Sequence, residues 1–167
     1  MRTYLRSIKL GDAETIARWK SDPYLRRMAL DVNHTTTAEK ERKNIQQALD
    51  DSDEEYLLIV EQETDQPLGY IRLNWWHGRE IAWLRYAMGE RRGEGLCSEA
   101  LTALLERLFS ESLHRIEGEV YACNEPSIRL LKRLGFVREG VKRQAHFDGE
   151  EYIDIYAYGL LRADFAQ

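Results

Sequence analysis

At 167 residues, with 43% hydrophobic and 32% charged side chains, the chain has the balance of one soluble globular domain with a substantial core. Its net charge of −5 argues against nucleic acid as the main partner, and no apolar run approaches the roughly 20 residues of a membrane span. Cys97 and Cys123 are too few for a disulfide framework and lack metal-ligand spacing; with no apolar secretory stretch in MRTYLRSIKLGD, a reducing, cytoplasmic setting is expected.

Thr3 to Lys9 alternates as a first strand. Gly11-Asp12 opens a helix, with Asp12 as its N-cap and Ile16, Ala17 and Trp19 on the apolar face, and Ser21-Asp22-Pro23 ends it. Tyr24 to Asn33 is ambiguous, and its Tyr24, Leu25, Met28 and Leu30 suit either core or the wall of a cleft. A second helix is predicted over Thr37 to Leu49, capped by Thr37, followed by an exposed acidic loop from Asp50 to Glu55. Tyr56–Val60 and Leu68–Trp75 read as strands of an antiparallel hairpin around Thr64-Asp65-Gln66-Pro67, and Glu80–Met88 returns as the next strand. Trp75 and Trp76 fit sheet-face packing better than a cleft lining. Another strand follows over His114–Tyr121, then a helix from Asn124-Glu125-Pro126-Ser127 that closes at Gly135. Phe136–Phe147 and Glu151–Leu160 form a last hairpin around Asp148-Gly149.

The organising stretch is the loop Glu90-Arg91-Arg92-Gly93-Glu94-Gly95. It joins the strand ending at Met88 to a helix starting near Leu96, whose apolar stripe is Leu101, Leu104, Leu105, Leu108 and Phe109. Gly93 and Gly95 permit a sharp turn and close approach of a ligand to the backbone. The unpartnered first amides of the helix, its dipole and two arginines make an anion site suited to phosphate. An ordinary solvated strand-to-helix turn fits the loop alone equally well. No Gly-Lys-Ser/Thr follows, so it is not a Walker loop, and Ser98 stands where a dinucleotide fingerprint needs its third glycine.

The order strand, Arg92-Gly93-Glu94-Gly95 loop, helix, strand, Asn124-Glu125-Pro126-Ser127, helix ending Leu134-Gly135-Phe136 resembles the GCN5-related N-acetyltransferases (GNAT). Within them, His114-Arg115-Ile116-Glu117, Phe136-Val137-Arg138-Glu139-Gly140 and Tyr158-Gly159-Leu160-Leu161 look like the bacterial ribosomal-protein N-acetyltransferase branch. Its usual opening is echoed by Ile8-Lys9-Leu10-Gly11-Asp12-Ala13-Glu14 and Asp22-Pro23. The resemblance implies a single α/β (α+β) domain over residues 1–167, with a mixed, mostly antiparallel sheet whose splayed central strands hold acetyl-CoA. Carried over, the backbone of Arg91, Arg92, Gly93, Glu94, Gly95, Leu96 and Cys97 would hold the pyrophosphate, with the arginine side chains assisting. Ala87 and Met88 would bond the pantetheine and polarise the thioester carbonyl, Asn124 would bind pantetheine, and Ser127 would lie near the sulfur.

The chain departs from the family pattern in several places. Glu90 stands where Gln or Arg is usual and is expected to point away from a phosphate. The position seven residues after Asn124, where many members carry a catalytic Tyr, is Leu131, and a frequent Glu position is Trp83. Ser127 or a water is then the next choice to protonate the thiolate. His146, beside the last hairpin, is the candidate base for the acceptor amine, with Glu80, Glu119 and a water chain as competitors. The implied acceptor is a primary amine: a protein N-terminus, or a small amine such as a polyamine, amino sugar or aminoglycoside. A non-catalytic CoA-binding regulatory module is the reading from another class. No metal, membrane or nucleic-acid partner is expected, and a homodimer is allowed.

Overall fold

The computed structural model of the chain describes residues 1–165. Its centre is a seven-stranded sheet in the order β1-β2-β3-β4-β5-β7-β6. The strands are β1 (Thr3–Ser7), β2 (Glu54–Glu61), β3 (Pro67–Trp76), β4 (Ile81–Met88), β5 (Arg115–Tyr121), β6 (Val137–Phe147) and β7 (Tyr152–Leu161). The helices are α1 (Ala13–Lys20), α2 (Pro23–Met28), α3 (Ala38–Asp50), α4 (Leu96–Ser110), α5 (Glu125–Arg133) and the short α6 (Arg162–Phe165).

Period-two alternation along β2 divides its side chains between two cores. Leu57 and Ile59 face Leu101, Leu104, Leu105 and Leu108 of α4, together with Ile128 and Leu131 of α5. Tyr56, Leu58 and Val60 face Ile16 and Trp19 of α1 and Ile45 of α3. The four α4 leucines are fully buried. At about 2 kcal/mol for each buried leucine, they anchor the helix that follows the glycine loop. Gly135, at φ +91°, turns the chain out of α5; its N–H bonds Lys132 O (3.1 Å) and that of Phe136 bonds Leu131 O (3.0 Å).

Every neighbouring strand pair is antiparallel except β4 and β5, which are parallel because α4 crosses between them. Their pairing covers only Ile81↔Arg115, Ala82↔Ile116 and Trp83↔Glu117. Beyond it the two strands part, while β3 and β7 keep their outer edges paired up to Met88 and Tyr121. Gly118 lies at the fork, where a Cβ would come within 3.0 Å of Leu84 O. The result is a wedge in the middle of the sheet, with open backbone groups on both walls.

Two expectations need correction. Asp12 precedes α1 but makes no side-chain cap; its carboxylate is taken by the Arg6 guanidinium (2.9 Å) and the Lys9 N–H (2.8 Å). The acidic run after α3 is not all loop, since Glu54 and Glu55 open β2. Arginines neutralise them there: Arg72 Nε donates to Glu54 (2.7 Å) and Arg107 to Glu55 (2.7 Å). The ambiguous Tyr24–Asn33 stretch contains α2, whose N-cap Asp22 accepts the Tyr24 N–H at 2.9 Å. Trp75 packs into the core at 5% exposure.

Candidate active site in the wedge between the splayed strands

One cavity of about 530 Å³ opens on the glycine loop. Its walls include Ala87, Met88, Arg92, Gly93, Glu94, Gly95 and Cys97 from the β4–α4 side, and Asn124, Ser127, Arg129 and Arg133 from α5 and its entry. Gly93 (φ +85°) and Gly95 (φ +80°) occupy left-handed backbone, with Gly95 as the N-cap of α4. Glu99 N–H is the one that reaches Gly95 O (3.1 Å), so the amides of Leu96, Cys97 and Ser98 precede the helix's own acceptors. The Glu99 carboxylate is drawn off to Thr3 N–H (3.0 Å) and to Arg2, leaving the positive end of the dipole facing the loop.

The two loop arginines differ. Arg91 turns away to Glu94 (2.7 Å) and Glu61, and lies outside the cavity lining. Arg92 lies across the wall: it donates to Met88 O (2.8 Å) and Asp22 Oδ2 (2.5 Å) and stacks 4.6 Å over the Tyr24 ring. Burial raises the Asp22 pKa, but its bonds to Arg92 and to Tyr24 N–H outweigh that and leave it below the usual carboxylate range. Glu90 points away from the loop, as expected, accepting from Trp19 Nε1 (2.8 Å) and Arg18 (2.9 Å). Leu96 is 1% exposed, so its side chain belongs to the core and only its amide faces the loop. Burial pushes the Cys97 thiol up to about 12, which makes it a neutral, mostly apolar wall.

A second cavity of about 180 Å³ lies deeper in the wedge, lined by Trp83 and Arg85 of β4 and Glu119 and Tyr121 of β5. It shares Met28, Ala29, Tyr86, Asn124 and Ser127 with the first, so these residues stand at the divide. Asn124 caps α5 by accepting Ser127 N–H (3.2 Å) and ties it to α2 by donating to Met28 O (3.0 Å). Tyr121 Oη donates to Leu30 O at 2.7 Å, holding the turn after α2 over the same side. The Tyr86 and Ser127 hydroxyls are 2.5 Å apart. Glu119 is paired with Lys142.

His146 lines neither cavity. Its ring is stacked on Tyr121, with centroids 3.7 Å apart and planes 9° from parallel, and its Nε2 is buried with no hydrogen-bond partner. The register shift between Lys142 and His146 in β6 brings the histidine against the back of the wall. Glu80 precedes β4 and also lies outside both linings, its carbonyl accepting the His114 and Arg115 amides. Leu131, where a family tyrosine would stand, is buried in the core at 4% exposure.

Sequence reasoning missed three residues of the cavity lining. Tyr86 reads as one more apolar position of an alternating strand, and nothing local marks its hydroxyl. Arg129 and Arg133 look like solvated helix residues, yet their four-residue spacing puts both on the face of α5 that borders the larger cavity. Among the described residues no cluster of His, Cys, Asp and Glu could hold a metal, and no helix is long and apolar enough to cross a membrane.

A family model described as an acetyltransferase (GNAT) domain matches residues 2–137. The uncharacterized N-acetyltransferase p20 of Bacillus licheniformis is 32% identical over 173 residues, spanning 99% of this chain and 96% of that protein. Among solved structures, the spermidine N-acetyltransferase of Vibrio cholerae in complex with CoA and spermine superposes with a TM-score of 0.89 at 18% identity, covering 99% of both chains. The ribosomal-protein-S5-alanine acetyltransferase of Vibrio fischeri superposes with a TM-score of 0.82 at 21% identity, covering 99% of this chain and 96% of that one. These two structures speak for the shared fold, and the family model and p20 for descent. The chain belongs to the GNAT acetyltransferase family and is an acetyl-CoA-dependent N-acetyltransferase.

Proposed function

We propose that the chain acetylates a primary amine flanked by neutral or anionic groups, a peptide or protein N-terminus in preference to a polyamine. The observation that carries this is the charge of the smaller cavity. Its carboxylate, Glu119, is already paired with Lys142, and the opposite wall carries the Arg85 guanidinium. A polyamine brings several cationic centres and calls for unpaired carboxylates, which this chamber does not supply. A peptide N-terminus brings one amine beside neutral amide groups. This agrees with the ribosomal-protein branch that the sequence resembles.

In this reading acetyl-CoA supplies the acetyl group and a thiol leaving group from the larger cavity. The amides of Gly93 to Ser98 hold its pyrophosphate, with Arg92, Arg129 and Arg133 adding positive charge. Backbone at Ala87–Met88, on the open edge of β4, stabilises the oxyanion. Asn124 orders the α5 start beside the pantetheine, and Ser127 donates toward the departing sulfur. Water relays the amine proton toward Glu119, whose pairing with Lys142 keeps it from binding an ammonium group directly; the placement of His146 is less suited to this role.

The test is a continuous assay of CoA release with short peptides, free amino acids, spermidine and spermine as acceptors. Peptides should exceed spermidine in kcat/KM by at least about tenfold, equivalent to about 1.4 kcal/mol of transition-state binding. The opposite order would overturn the acceptor assignment. No CoA release with any of these amines would favour a CoA-binding module without turnover.

A further inference from the structure

We propose that Tyr86 is a positioning residue for Ser127: its phenol donates to Ser127 Oγ and so keeps the serine's own hydroxyl hydrogen free to face the departing sulfur. The inference rests on the acetyl-transfer reading above and adds a residue that neither the motifs nor the family pattern supplies. The two oxygens are 2.5 Å apart, a short separation for a hydroxyl pair, and both residues stand at the divide between the cavities. Among the described residues, Ser127 is the one hydrogen-bond partner of the Tyr86 hydroxyl.

Direction follows from acidity. A phenol is a far stronger acid than an aliphatic alcohol, so the shared hydrogen belongs to Tyr86 and the serine oxygen accepts. Burial raises the Tyr86 pKa, outweighing the opposing effect of its bond to Ser127, so the phenol keeps its hydrogen throughout the working pH range. Without that donor, a serine in the first turn of a helix tends to bond back to the preceding main chain. The Ser127 backbone is itself fixed by Asn124 Oδ1, which accepts its N–H at 3.2 Å. Backbone and side chain are therefore both held, and the remaining hydrogen has one open direction.

The balance of the step needs no further reactant. As the amine nitrogen bonds the thioester carbonyl carbon and the C–S bond breaks, the electron pair of the broken bond passes to sulfur, and Ser127 O–H stabilises that charge by hydrogen bonding. The proton lost by the attacking nitrogen goes to Glu119 or solvent, and the thiolate takes a proton from water as it leaves. Neither hydroxyl is consumed, so Tyr86 and Ser127 return unchanged. This places the tyrosine on β4, whereas the family's usual tyrosine position, on α5, is the buried Leu131.

The experiment is a double-mutant cycle on kcat with acetyl-CoA and a peptide acceptor. Tyr86→Phe keeps the ring and removes the donor; it should lower kcat about 5- to 10-fold, the worth of one neutral hydrogen bond, with KM for acetyl-CoA within about twofold. Combined with Ser127→Ala it should be no slower than Ser127→Ala alone. An unchanged kcat in Tyr86→Phe, or a double mutant slowed by the product of the single effects, overturns the inference. Should Tyr86→Phe be misfolded by near-ultraviolet circular dichroism, 3-fluorotyrosine at position 86 replaces it. That residue retains the donor and should retain kcat, and a loss as large as that of Ser127→Ala would overturn the inference. Wild-type enzyme that releases no CoA with any amine would instead sink the acetyl-transfer reading beneath it.

Discussion

Replacing Gly93 and Gly95 together by alanine separates what the loop costs the fold from what it does for the ligand. A Cβ added at Gly93 meets no atom within 4 Å, and one at Gly95 meets only Arg2 Nη2 at 3.7 Å, so neither clashes with the protein. The penalty in the free protein is the left-handed backbone alone, at φ +85° and +80°. That strain is about 1–2 kcal/mol per residue, so about 2–4 kcal/mol for the pair. Set against a typical domain stability of 5–15 kcal/mol, the double variant stays folded. At about 2–4 °C per kcal/mol for a chain of this size, its Tm should fall by roughly 4–16 °C. Binding has a further cost, because Gly93 and Gly95 line the larger cavity and the added methyl groups stand where the loop must approach a phosphate. Calorimetric titration with acetyl-CoA should show at least about a hundredfold loss of affinity, equivalent to losing about 2.7 kcal/mol of contact. A folded double variant that binds acetyl-CoA with wild-type affinity would refute the phosphate assignment, whatever its Tm.

Arg129→Gln with Arg133→Gln should weaken acetyl-CoA about tenfold at low salt and less at high salt, since exposed guanidinium groups are screened; equal loss at both ionic strengths would count against a phosphate contact. Glu119→Gln should lower kcat/KM for the amine by about 10²-fold, whereas His146→Ala should keep the wild-type pH–rate profile; a flattened limb in the histidine variant would return the base role to His146. Lys20 and Glu41 form a 3.1 Å pair with side chains 8% and 4% exposed, and Glu41→Gln, which strands the ammonium, should cost about 3–5 kcal/mol in denaturant unfolding. Burial raises the Glu41 pKa, but Lys20 and the Thr36 and Asn44 hydrogen bonds outweigh it and leave the group below its ordinary 4.5. The unfolded chain therefore takes up protons first, so the stability from Glu41 is present above pH 4.5 and is lost as pH falls through the lower native value. Glu41→Gln should remove that part of the acid limb.

The elements whose physics is local were legible in the sequence. The α4 leucines, the Thr37 cap, the helix start at Asn124-Glu125-Pro126-Ser127, the Gly135 turn and the Asp148-Gly149 hairpin each follow from spacing or from one residue's conformational preference. What escaped depends on partners distant in the chain. Asp12 stands at a helix start with a good capping side chain, yet Arg6 across the turn holds its carboxylate more strongly. Glu54 and Glu55 look like loop until Arg72 and Arg107 are in place. Tyr86 and Ser127 are 41 residues apart, and only the return of β5 and α5 beside β4 brings their hydroxyls together. His146 has the chemistry of a base and a place in the last hairpin, but its stacking on Tyr121, next to a register shift in β6, cannot be read from composition.

The site exists because the sheet is incomplete. A parallel pair that continued past Trp83 and Glu117 would satisfy the facing main-chain groups of Leu84–Met88 and Gly118–Tyr121, and no donor would remain for a ligand. Stopping after three registered pairs leaves those groups open on rigid strands, since β3 and β7 still hold the outer edges. Open backbone groups in a sheet centre are costly when buried without partners, about 1–3 kcal/mol each, so the wedge is stable only while solvent or a ligand fills it. That requirement favours a ligand carrying its own peptide-like amides, the chemical character of pantetheine. The same opening sets Tyr86 on one wall and Ser127 of α5 on the other, their hydroxyls 2.5 Å apart, so an interrupted strand pairing also brings together two side chains that are distant in the sequence.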